Sequence, residues 1–147
     1  MELILWRHAD AENGSPDEER KLTGKGQKQA GRMARWLRKR LPEDAVVLVS
    51  PARRARETAE ALGMKLDTVP DLGAGANARS VLKAAGWPER EGTVVVVGHQ
   101  PTLGQAVALV LTGKEAEWSI KKGAIWWFES RERGDLIVRA VIAPDML

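Results

Sequence analysis

Leu3-Ile4-Leu5-Trp6-Arg7-His8-Ala9-Asp10-Ala11-Glu12 begins as an apolar run of strand length and stops at a cation and an imidazole. A run this short, with polar residues on both sides, reads as a strand buried on both faces. Such strands belong to parallel sheets covered by helices, where ligands gather outside the carboxyl ends of the strands. Arg7 and His8 stand at that end. A guanidinium offers a planar fork of donors to a phosphoryl group, and a neutral imidazole beside it can attack phosphorus. Alone, the dipeptide equally suits a strand that merely ends in polar residues, because short motifs recur by coincidence.

Working outward, residues 13–19 are rich in turn formers and include Pro16, so they read as a loop. From residue 23 to 41, Ala30, Met33, Ala34, Leu37 and Leu41 recur at helical spacing, while Lys28, Arg32, Arg35 and Lys39 fall on another face. Residues 45–49 make a second apolar strand. Ser50 and Pro51 then read as the N-cap and first position of a helix whose inner face is Ala55, Ala59 and Leu62, stopped by Gly63. A short strand at 66–69 and a helix at 76–87 follow. The four valines of residues 93–97 are the strongest strand, and a helix from Pro101 buries Leu103, Val107, Val110 and Leu111. Strands at 124–129 and 136–142 flank Arg133-Gly134-Asp135 as a hairpin. This alternation predicts an α/β three-layer sandwich around a mainly parallel central sheet, with the hairpin adding an antiparallel strand at an edge.

The 147 residues are expected to form one domain, 1–147, with an ordinary charged fraction of 29%. No apolar run approaches the roughly 20 residues of a membrane span. No basic leader precedes the first apolar run, so it does not read as a signal peptide. Absence of cysteine excludes a disulfide framework, a thiolate zinc site and a thiolate nucleophile, and makes the cytoplasm the default compartment. The net charge of +3 suits an anionic substrate or an acidic partner. The dense basic stretch from Arg20 to Arg40 carries no recognised nucleic-acid module, so it reads as a solvated helix face or a docking face for an acidic protein.

The only two histidines, His8 and His99, lie at the ends of two predicted central strands. A third strand runs into Ser50-Pro51-Ala52-Arg53-Arg54-Ala55-Arg56-Glu57-Thr58. If the three are parallel neighbours, these residues meet in one cleft, where helix N-termini add donors for a phosphate. Gly73-Ala74-Gly75-Ala76-Asn77-Ala78 fits a dinucleotide fingerprint on paper, but no strong strand precedes it and a plain loop is the better reading. Asp10 and Glu12 make weak metal ligands by themselves. Trp118, Trp126 and Trp127 read as core or hairpin surface, with Trp118 and Lys122 as candidates for a cleft rim.

Arg7-His8-Ala9, Ser50-Pro51-x-x-Arg54-Ala55-x-x-Thr58 and Gly98-His99 resemble the motifs of the histidine phosphatase superfamily, which includes the phosphoglycerate mutases. The short chain, with Lys21-Leu22-Thr23-x-x-Gly26, resembles the SixA-type phosphohistidine phosphatases in particular. One departure is Ala9, where many relatives have glycine. The resemblance implies a phosphoglycerate mutase-like fold, His8 as nucleophile, Arg7 and Arg54 on the phosphoryl oxygens, and His99 as a further donor to them. It implies neither cofactor nor metal. Arg53 and Arg56 are expected on the surface. Larger relatives carry an acid that protonates an alcohol leaving group, for which Asp71 is the nearest candidate here. Imidazole, with a pKa near 6.5, leaves without much acid help, which favours a phosphohistidine on a protein as substrate. The partner would then be a phosphorylated protein, such as an acidic histidine-phosphotransfer protein. Two alternatives stand beside it: a phosphatase of small phosphate esters or anhydrides using Asp71, and a non-catalytic module that binds phospho-ligands.

Overall fold

Apolar side chains alternate between two faces along the central strands, and that alternation builds the protein. The computed structural model describes residues 1–147. Strands β1 (Glu2–Arg7), β2 (Val46–Val49), β3 (Leu66–Thr68), β4 (Thr93–Gly98), β5 (Ile125–Ser130) and β6 (Leu136–Ile142) share one sheet in the order β3-β2-β4-β1-β5-β6. Helices α1 (Gly24–Arg38) and α2 (Arg53–Glu60) cover one face, and α3 (Ala78–Ala85) and α4 (Thr102–Thr112) the other. Leu3, Leu5, Val94 and Val96 pack towards Val81, Leu82, Ala106 and Val107. Ile4, Trp6, Val95 and Val97 pack towards Met33, Leu37, Ala55 and Ala59. Successive strand residues point to opposite faces, so a continuous apolar run feeds two cores at once. No helix is long and apolar enough to cross a membrane.

β4 pairs in parallel with β1 on one side and β2 on the other, with Trp6 and Val49 both opposite Val97. The carboxyl ends of all three strands are therefore level. Both hairpin strands run antiparallel, β5 against β1 and β6 against β5, so the antiparallel contribution is two pairings rather than one edge strand.

Several boundaries differ from those read in the sequence. α2 begins at Arg53 with Ala52 as its N-cap, not at Ser50-Pro51; the Ser50 hydroxyl accepts from the Ala52 amide just ahead of the helix and also bonds His99. α3 is shorter than residues 76–87. Asn77 caps its start by accepting from the Ser80 amide at 2.9 Å, and left-handed Gly86 ends it. α1 ends at Arg38, yet Leu41 still packs on the core, joined by Trp36.

The motif around Gly26 has a packing reason. Thr23 caps α1 and also reaches Asp10, its hydroxyl donating to the Asp10 carboxylate at 2.7 Å. That draws the first turn of α1 onto the segment after His8, where a Cβ on Gly26 would collide with the Asp10 carbonyl. Gly31, on the same helix, has open space where a Cβ would stand. Gly26→Ala should therefore cost at least about 2 kcal/mol, whereas Gly31→Ala should stabilise by about 0.5–1 kcal/mol through helix propensity. Urea denaturation of the two variants checks this, and equal midpoints would show that helix and segment separate freely.

Candidate active site

The level strand ends bring His8, Ser50 and His99 to one edge of the sheet. The His8 amide donates to the Gly98 carbonyl at 3.0 Å, and the Ser50 amide to Val97 at 3.1 Å. The helix after β2 is stitched to the segment after β1 by Thr58. Its hydroxyl donates to the Arg54 carbonyl at 2.8 Å and accepts from the Ala9 amide at 3.0 Å. This accounts for the spacing Arg54-x-x-x-Thr58: one turn of helix sets the threonine back onto the arginine that faces the site.

His8 is 8% exposed and His99 3%, with ring centroids 5.2 Å apart. His8 Nδ1 lies 2.7 Å from the Ala9 carbonyl, which can only accept, so the neutral ring carries its proton there. Nε2 therefore carries the lone pair, which accepts a hydrogen bond from Arg54 Nε–H at 3.3 Å. Burial, then the charges of Arg54, Arg7 and Arg20, push the His8 pKa down to about 4 against the opposing bond to Ala9. Burial first, then the charges of His8 and Arg54, push His99 down to about 3. Both imidazoles are neutral at physiological pH.

Arg54 is buried, and its guanidinium is shared. Nη1 donates to the Asp17 backbone carbonyl at 2.9 Å and Nη2 to the Asp17 carboxylate at 3.0 Å, leaving the Nε edge towards His8. Asp17 is also held by Arg20 at 3.0 Å, and the bonds to Arg20 and Arg54 lower its pKa. Arg7 donates from Nη1 to the Ile120 carbonyl at 2.6 Å, while its Nε is buried with no protein partner. His99 Nε2 lies 2.7 Å from Ser50 Oγ, and its Nδ1 is likewise buried and unpartnered.

The structure thus brings Arg7, His8, Arg54 and His99 together. Arg53 is on the surface, paired with Glu57 at 3.5 Å, and Arg56 is exposed. Asp71 is exposed on the 3-10 turn Pro70–Leu72 and makes no ion pair or side-chain hydrogen bond. Lys122 donates to the Asp10 carboxylate at 2.8 Å, and the Trp118 carbonyl accepts from Gln100 at 2.8 Å, so both tie to neighbours of the two histidines. Trp118 itself rests against Trp126. Residues 73–77 form a loop leading into α3, and no three His, Asp or Glu side chains stand together as metal ligands would. Sequence reasoning missed Asp17, for which no local signal exists, and took Ser50 for a helix cap.

These motifs and this fold have known counterparts. Residues 3–75 match the family model of the histidine phosphatase superfamily, branch 1. Phosphohistidine phosphatase SixA of Escherichia coli K12 is 32% identical over 123 residues, covering 78% of this chain and 76% of that protein. The chain belongs to the histidine phosphatase superfamily and is of the SixA type. An uncharacterized protein of Picosynechococcus is 36% identical over 138 residues, 85% of this chain and 82% of that one. A solved structure of the protein histidine phosphatase SixA complexed with tungstate superposes with a TM-score of 0.83 at 27% identity, covering 99% of both chains. The fold is that of SixA and the phosphoglycerate mutases, and family and likeness together support a phosphatase function.

With both imidazoles held neutral, the folded chain binds fewer protons than the unfolded chain between pH 6.5 and about 4 for His8 or 3 for His99. Their contribution to stability is complete above about pH 6.5 and is lost as pH falls towards those values. Nitrogen-15 spectra of the two histidines should show neutral rings at pH 5.5, with urea midpoints declining from pH 7 towards pH 4. A titration midpoint between 6 and 7 for either ring would contradict the burial argument.

Proposed function

We propose that the protein is a phosphohistidine phosphatase that hydrolyses phosphohistidine on a protein through a covalent phospho-His8 intermediate. One observation carries this reading. The His8 Nε2 lone pair stands against the Arg54 Nε–H, and two further members of the cluster, Arg7 Nε and His99 Nδ1, are buried polar atoms without a protein partner. Leaving such groups unpaired costs roughly 1–3 kcal/mol each. A phosphoryl group seated at His8 supplies the acceptor oxygens they lack.

Nε2 attacks phosphorus, the P–N bond of the substrate breaks, and the departing imidazole takes the electron pair, leaving as a neutral ring because its other nitrogen already carries a proton. Water then attacks phospho-His8, releasing phosphate and restoring the ring. Arg7, Arg54 and His99 stabilise the charge on the transferring group, where positioning and electrostatics supply most of the catalysis. Transfer between two imidazoles is nearly balanced, so no general acid is required. Asp71, exposed and unpartnered, has no assigned part.

A protein substrate is supported by charge as well. No acid interrupts the sequence between Glu19 and Glu43, and Lys25, Lys28, Arg32, Arg35 and Lys39 are exposed along α1. That ridge starts beside Asp10 and runs on the order of 20 Å away from the site. It offers an acidic phosphotransfer protein a footing that a small ester does not reach.

Rapid quench with labelled substrate should give an acid-labile, base-stable adduct that is absent in His8→Ala, whose rate falls by at least about three orders of magnitude. An adduct on His99 instead would overturn the assignment. Arg54→Ala should cost about 2–4 kcal/mol of transition-state stabilisation, Arg53→Ala far less, and chelators should leave turnover unchanged. Raising salt should lower kcat/KM on a phosphohistidine protein more than on a small synthetic ester, because steering by the ridge is screened over about 8 Å. Comparable kcat/KM on a sugar phosphate and on phosphohistidine proteins would sink the substrate assignment.

A further inference from the structure

Ser50 is completely buried, and its hydroxyl makes two hydrogen bonds. One comes from the Ala52 amide at 3.1 Å, and an amide N–H can only donate. The other joins Ser50 Oγ to His99 Nε2 at 2.7 Å and is open in direction until the protons are counted. If Nε2–H donated to Oγ, the proton of the fully buried serine would have no acceptor. The unpartnered His99 Nδ1 would also carry a lone pair, not a proton. If the serine donates, its proton is satisfied and the neutral ring must carry its own proton on Nδ1.

We infer that Ser50 is a positioning residue that locks His99 in the Nδ1-protonated tautomer, so that a neutral imidazole donates to the phosphoryl group. This deepens the phosphatase reading and rests on it for the identity of the acceptor, but the tautomer is a property of the free protein. The arrangement has a chemical use. A neutral donor binds a phosphoryl oxygen without adding a third cation beside the nucleophile. The same imidazole in its other tautomer would repel that oxygen.

The test is nitrogen-15 spectroscopy on histidine-labelled protein, where the protonated and bare ring nitrogens of His99 are distinguished by their shifts and couplings. The wild-type protein should show His99 protonated on Nδ1. Ser50→Ala, which removes only the hydroxyl, should move His99 to the Nε2-protonated form or to a mixture. Its kcat/KM should fall by about ten- to hundredfold, less than the ~10²–10³ of deleting an oxyanion donor outright. A wild-type His99 protonated on Nε2, or a Ser50→Ala protein that keeps the Nδ1 tautomer, would overturn the inference. Absence of turnover in the wild-type protein would defeat the phosphatase reading while the tautomer result still decided the role of Ser50.

Discussion

The parallel pairing of β4 between β1 and β2 is the constraint on which the site depends. Its register sets Trp6 and Val49 opposite the same residue, Val97, so three strands end at one level and hand on His8, Ser50 and His99 side by side. A slip of one residue would do more than misalign the ends. It would reverse the alternation that sends Ile4 and Trp6 to one core and Leu3 and Leu5 to the other. The geometry of the site is thus protected by the burial of the strands beneath it. Thr58 and Gly26 add the remaining closeness, drawing α2 and α1 onto the segment that follows His8.

Concentrating two imidazoles and two guanidiniums at a buried edge is electrostatically expensive, and the structure meets the expense in different ways for different groups. The imidazoles stay neutral, and the partner of one nitrogen directs the protonation of each ring, a carbonyl at Nδ1 of His8 and a hydroxyl at Nε2 of His99. Arg54 cannot neutralise, so Asp17 takes up the end of its fork while the Nε edge remains aimed at His8. Asp17 in turn is secured by Arg20. The carboxylate is more than half exposed, so this pair is valued here for orientation rather than for stability.

The surfaces around the site divide by chemistry. α1 presents cations without an intervening acid, and its first turn abuts the segment carrying Asp10. Lys122 and the Trp118 backbone bind to Asp10 and Gln100, close in sequence to the two histidines, which joins the loop before β5 to the segments that carry them. In this way the chain leading into the antiparallel hairpin is tied to the cluster, including the Ile120 carbonyl that receives Arg7.

The amino-acid sequence by itself determined the strands, most of the helices and the four residues of the cluster, because apolar runs, helical spacing and strand-end motifs are local patterns. Leu3 to Trp6 and the four valines of β4 admit little but buried strands, and residues at their ends must lie at a sheet edge. Helix ends were less legible, since Ser50 and Pro51 match a capping pattern, yet the helix starts at Arg53 with Ala52 as its cap. Only the tertiary structure decided that the Ser50 hydroxyl bonds His99, that Asp17 shares Arg54, and which nitrogen of each histidine faces the site. Those contacts join residues 37 to 49 positions apart, and they exist only once the parallel register has brought distant strand ends together.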